Sequence, residues 1–316
     1  MNARESQLTS TVLMIRPTRF QQNPLTARTN AFMEDVSAPP VEQQEHALDQ
    51  FTGLVAALEA NGIYVVVVDD TREPHTPDSV FPNNWLTTHA DGRVVVYPME
   101  ATNRRTERRL DILDVLHDEH GFRVGEVVDL SGHEEEGHFL EGTGSVVLDR
   151  VNRVAYACLS SRTHLNPLGD FAQQLGYEVV AFEATDRDGI PIYHTNVMMS
   201  VGEELAIICA KSIRDPEQRQ AVLSRLESSG RRILEIDFDQ LESFAGNMLE
   251  LRAADGVRIL AMSKQAADSL TAEQRAGLEP NGRLVIADIS DIEASAGGSV
   301  RCMLAEIHLP LNEQTV

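Results

Sequence analysis

"EHALDQFTGLVAALEANG" (residues 45–62) runs straight into "IYVVVVDD" (63–70). In the first segment apolar residues return at helical spacing up to Gly62, and glycine suits the position just past a helix end because it adopts positive φ without a clash. The second segment is a short β-branched run and reads as a strand. A helix closed by glycine and followed at once by a strand is therefore the unit to look for elsewhere.

The unit recurs. "ERRLDILDVLHDEHG" precedes "FRVGEVVDL", "NPLGDFAQQLG" precedes "YEVVAFEA", "DPEQRQAVLSRLESSG" precedes "RRILEIDF", and "SKQAADSLTAEQRAGLEPNG" precedes "RLVIADI". The closing glycines are Gly62, Gly121, Gly176, Gly230 and Gly282, spaced by 59, 55, 54 and 52 residues. Two further apolar runs lie between one helix-strand pair and the next, such as "GSVVLD" and "RVAYACLS", so each unit reads as three strands and one helix. Each of these units must bury its face on its neighbours, which favours one closed, pseudo-symmetric α/β ring and a single domain over residues 1–316.

Composition narrows the function. With 42% hydrophobic and 24% charged residues and no long apolar run, the chain reads as a soluble protein that does not enter a membrane. A formal charge of −22 repels phosphate backbones, so no nucleic-acid partner is expected; the densest basic cluster, "RRTERR" (104–109), reads as the opening of a helix. Three cysteines and an N-terminus without a secretory pattern point to the cytoplasm. There is no phosphate-cradling loop and no dinucleotide fingerprint, so no cofactor is expected, and a homo-oligomer is left open.

A polar stretch follows every glycine-strand pair: "FPNNW" (81–85), "LEGTGS" (140–145), "YHTN" (193–196), "FAGN" (244–247) and "SAGGSVRC" (295–302). Units related by rotation would bring all five to one end of the central axis. Cys302, His194 and Glu141 would then meet. Such a group has the makings of a nucleophilic site, since a thiol attacks as thiolate, a histidine moves the proton, and a carboxylate orients the histidine. Cys158 and Cys209 sit inside apolar runs and read as core. "GHEEEGH" (132–138) places two histidines five apart, not the four that share a helix face, and glycines interrupt the run; it reads as a solvated acidic loop, with no metal site.

These residues resemble the amidinotransferase and arginine deiminase superfamily, whose pentein fold is a five-bladed α/β propeller of ββαβ units. "LEGTGS", "YHTN", "AGN" and "GGSVRC" occur in that order; "CLSSRTH" resembles a stretch of the dimethylarginine hydrolases. "MIRPTRFQQNPLTARTN" and "FPNNW" are most similar to the citrulline utilization hydrolases, or arginine deiminase-related proteins. The resemblance implies Cys302 as nucleophile, His194 as acid/base, Glu141 as an active-site carboxylate, and Arg162 as the arginine that holds a substrate carboxylate. It points with less force to Asn83, Phe20 and Asn23 at the pocket, and to Asn247 as a loop-shaping residue. Arginine deiminases carry aspartates where Asn84 and Asn196 stand, and Ser145 stands near another family aspartate. A carboxylate pair suits a guanidinium, whereas an amide offers both donor and acceptor and suits a neutral ureide. The expected reaction is hydrolysis of a linear C–N bond of a ureido amino acid, citrulline to ornithine with CO2 and ammonia, through a covalent Cys302 intermediate. Chemistry on a guanidine, by deimination or amidino transfer, and a non-enzymatic propeller binding protein are the competing readings.

Overall fold

The computed structural model describes residues 5–34, 36 and 38–312. It contains five three-stranded sheets: β1 (Thr11–Arg16) and β2 (Tyr64–Asp69); β3 (Leu86–Thr88), β4 (Val94–Val96) and β5 (Val127–Asp129); β6 (Val146–Asp149), β7 (Val154–Cys158) and β8 (Glu178–Phe182); β9 (Met199–Val201), β10 (Leu205–Ile208) and β11 (Arg232–Glu235); β12 (Leu249–Arg252), β13 (Arg258–Ser263) and β14 (Arg283–Ala287); with β15 (Ala305–Glu306) completing the first sheet. In every sheet the first two strands are antiparallel and the last two parallel. A parallel pair needs a crossover, which the intervening helices provide. The five ββαβ units of a pentein fold are thus present.

All five glycines that close the helix-strand units adopt positive φ, from 72° to 130°. The helix at Leu165–Leu175 shows how each unit is held: Leu168, Phe171 and Leu175, spaced three and four apart, are buried against the apolar β6 and β7. Burying each such side chain stabilises the fold by roughly 1.5–3 kcal/mol. In the fifth unit the expected single helix is two, Lys264–Ser269 and Ala272–Leu278, because Thr271 and Gln274 form a capping box that restarts it. "RRTERR" differs as well. It lies across a 3-10 turn, Thr102–Glu107, ahead of the helix Asp111–Asp118, and its Arg104 is buried.

Ring closure has a hydrogen-bonded and a packing side. β15, the last strand, pairs with β1, the first, so the chain's two ends share one sheet. The inner strands of neighbouring units touch, β15 with β3, β6 with β9, and β9 with β12. Each polar motif forms a tight turn just ahead of an inner strand: Pro82–Asn84 before β3, Gly142–Ser145 before β6, Thr195–Met198 before β9, Phe244–Asn247 before β12 and Val300–Met303 before β15. The same placement in all five units puts these turns at the same end of the axis.

Candidate active site

Where the turns meet lies a tight cavity, lined by Thr26, Asp78, Asn84, Arg104, Arg162, Tyr193, His194 and Cys302 among others. A wider groove beside Phe32, Asp186 and Phe244 lacks the reactive groups.

His194 and Glu141 form the clearest pair. His194 Nε2 lies 2.9 Å from Glu141 Oε2. An ionised carboxylate only accepts hydrogen bonds, so Nε2 carries the proton and Nδ1 is the nitrogen left for exchange with a bound molecule. Gly144 leaves that nitrogen uncovered, because a Cβ there would stand 2.6 Å from Nδ1 and 2.6 Å from Asn84 Nδ2. Burial pushes the His194 imidazole down to about 4, against the upward pull of Glu141. Burial alone would raise the Glu141 carboxyl, but Arg162, the His194 hydrogen bond and Arg104 hold it well below the usual carboxylate range. The pair is therefore neutral imidazole and carboxylate at neutral pH. Glu141 Oε1 also accepts from the Glu100 amide at 3.0 Å, and Ser145 Oγ accepts from the Glu141 amide at 2.8 Å while donating to the Arg162 carbonyl at 2.7 Å. Ser145 thus ties the carboxylate's turn to the turn after β7 that carries Arg162.

Cys302 is buried, with its thiol between two amides. Asn196 Nδ2 and Asn247 Nδ2 each lie 3.3 Å from Sγ, and Asn247 Nδ2 also donates to the Asn196 carbonyl at 2.9 Å. Two N–H donors thus converge on the sulfur. The other thiols are unsuited to attack, since burial pushes Cys158 up to about 12 and Cys209 up to about 11. Asn196 Oδ1 has no hydrogen-bond partner. A buried acceptor without a donor is costly, so a ligand donor at this point would relieve it.

The structure also brings in groups that the sequence reading passed over. Arg104 donates to Asn84 Oδ1 at 2.9 Å and to Glu107 at 2.9–3.2 Å, and it approaches Glu141 at 3.7 Å. Asp78 Oδ2 accepts from Asn23 at 2.7 Å and Thr26 at 3.0 Å, while its buried Oδ1 has no partner. Arg162 lies 4.9 Å over the Tyr193 ring and donates to Thr26 and Thr29. Tyr193 in turn donates to the Gly297 carbonyl, fixing the loop that leads to Cys302.

Of the expected site residues, Cys302, His194, Asn84, Asn196 and Arg162 meet at the cavity or touch a group that lines it, with Glu141 directly behind His194. Asn23 reaches it only through Asp78. Asn83 points to Thr143, and Phe20 packs in the apolar cluster around β1, so neither lines the cavity. Asn247, read as loop-shaping, touches the thiol.

A family model described as "N,N dimethylarginine dimethylhydrolase, eukaryotic" matches residues 16–309. A comparison with curated proteins finds no match. Among solved structures, ArgZ, an arginine dihydrolase from the ornithine-ammonia cycle in cyanobacteria, aligns with TM-score 0.72 at 20% identity over 96% of this chain, which spans only 41% of ArgZ. Unliganded AgrE aligns with TM-score 0.73 at 18% identity over 96% of this chain and 40% of its own. A dimethylarginine dimethylaminohydrolase adduct with S-methyl-L-thiocitrulline aligns with TM-score 0.63 at 15% identity, over 94% of this chain and 99% of that one.

Proposed function

The chain belongs to the N,N-dimethylarginine dimethylhydrolase family of the pentein superfamily, and from that premise we propose that it hydrolyses the C–N bond between the ureido carbon and the side-chain nitrogen of a ureido amino acid, citrulline first, with Cys302 as nucleophile. One observation carries the proposal: a buried thiol held by two amides shares its cavity with a neutral histidine backed by a carboxylate.

The charge around the cavity supports a neutral reacting group. Arg104 and Arg162 face it, and Asp78, the carboxylate that lines it, has its second oxygen 3.7 Å from Arg104. Asn196, with Oδ1 unpaired and Nδ2 beside sulfur, matches a ureide, which offers N–H and C=O together. Asp78 Oδ1 fits an α-ammonium, and Arg162 fits the α-carboxylate.

In the first step the Cys302 proton passes to His194 Nδ1 as sulfur bonds to the ureido carbon. The C–N bond to the side-chain amine then breaks, and His194 returns the proton to the departing nitrogen, which leaves ornithine and an S-carbamoyl enzyme. Water, deprotonated by His194, attacks the carbamoyl carbon; the C–S bond breaks, the thiol recovers its proton, and carbamate departs to decay into CO2 and ammonia. Asn196 and Asn247, as amide donors, stabilise the sulfur when it carries negative charge.

A second reading is favoured by the activities of the structural neighbours: ArgZ is an arginine dihydrolase, and a cysteine-to-alanine mutant of AgrE has been captured with L-arginine. Purified protein incubated separately with L-citrulline and L-arginine discriminates. Ornithine from citrulline, absent with Cys302→Ala, is the expected result. Products from arginine alone would replace the ureide reading by the guanidine one, and silence on both would overturn the substrate class.

A further inference from the structure

We propose that His133, Glu136 and His138 form a surface site for one divalent transition cation of the zinc type, separate from the cavity. The five-residue spacing argues against a site only if the segment is α-helical. It is instead a 3-10 turn, Ser131–Glu136, closed by Gly137 at φ 72°. The positive φ folds the chain back, and the His138 amide donates to the His133 carbonyl at 3.1 Å. One ligand atom from each of His133, Glu136 and His138 then falls within 4.8 Å of the others, close enough for a single ion to bridge them after small side-chain rotations.

The surroundings suit such an ion. His133 Nε2 lies 2.8 Å from Asp170 Oδ2, a carboxylate that can orient the imidazole or join the coordination shell. His138 stacks on His164, with ring centroids 3.9 Å apart and planes 11° from parallel. Imidazole with carboxylate selects zinc, nickel, copper or cobalt over calcium or magnesium.

The turn is also mechanically continuous with the active site. His138 precedes Glu141 by three residues and His164 follows Arg162 by two. Glu134, in the same turn, accepts from the Met99 amide at 2.8 Å, next to the Glu100 amide that holds Glu141.

The test is isothermal titration of tag-free, full-length protein with zinc chloride, in a Cys302→Ala background so that no thiol in the cavity competes. One bound equivalent is expected, lost in His133→Ala/His138→Ala and weakened about 10-fold in Asp170→Asn, the scale expected for an orienting carboxylate. Cobalt(II) added to the same proteins should give an absorption spectrum that depends on both histidines. Zinc binding unchanged in the double variant, or none in the parent, would overturn the proposal. All these positions are at the surface, and near-identical circular dichroism would show that the variants remain folded.

Discussion

Glu141→Gln keeps the shape of the side chain and removes its charge. In the proposed mechanism His194 holds the Cys302 proton as imidazolium during attack, and Glu141 Oε2 at 2.9 Å is the anion that stabilises it. At an effective dielectric of about 20, a unit pair at this distance interacts by about 6 kcal/mol, an upper bound because water and the two nearby arginines relax around it. The amide adds a second penalty. Every group around the carboxylate is a donor: His194, the Glu100 amide, Arg104 and Arg162. Either the new NH2 faces Glu100 and leaves a buried donor unsatisfied, at about 1–3 kcal/mol, or it faces His194 and forces the proton to Nδ1, the nitrogen that must be bare. An analogous carboxylate-to-amide change in the serine protease triad lowers kcat by about 10⁴ through the wrong tautomer. We expect a kcat loss of roughly 10³ to 10⁴ for the substrate the wild type turns over, and a urea midpoint lowered in step with about 1–3 kcal/mol. A loss below about 10-fold in a protein of unchanged stability would refute the role given to Glu141.

Asn247→Ala should lower kcat about 10- to 100-fold with little change in KM, since hydrogen bonds to a charged group contribute about 1.5–3 kcal/mol and this one ends on sulfur; a KM effect alone would count against it. Gly144→Ala places a methyl 2.6 Å from His194 Nδ1 and should remove at least about 100-fold in kcat, whereas near-normal turnover would show that this nitrogen is not the proton carrier. Acid should destabilise the fold through His89, which burial pushes down to about 4 beside Glu5 and Arg150. Its folded value lies below the unfolded one near 6.5, so the unfolded chain takes up a proton first, and stability drops between pH 6.5 and 4 by up to about 3 kcal/mol. His89→Gln should therefore show a smaller difference in urea stability between pH 7.5 and 5 than the wild type, and an equal or larger difference would contradict the sign.

The repeat was legible because helix-closing glycines and β-branched runs are local signals that recur at nearly constant spacing. The shared phase of the five polar turns then located Cys302, His194 and Glu141 without any knowledge of distances. Arg104 was not legible. Its neighbours Arg105, Arg108 and Arg109 are less deeply buried, and only the packing of a turn from outside the repeat's polar stretches distinguishes it. Asp78 lies three residues ahead of "FPNNW", and what marks it, an unpaired buried oxygen, exists only once Asn23 and Thr26 arrive from the N-terminal segment. The turn in "GHEEEGH" was not legible either: the five-residue histidine spacing is diagnostic only on an α-helix, whereas the segment forms a 3-10 turn closed by Gly137.

The central claim is that Cys302 forms the covalent intermediate. The most direct measurement is intact-protein mass spectrometry of the wild-type protein, acid-quenched during turnover of L-citrulline, followed by peptide mapping. The account predicts added mass equal to one carbamoyl group on the peptide containing Cys302, and none in Cys302→Ala. Turnover retained by Cys302→Ala, or the adduct on another residue, would contradict it.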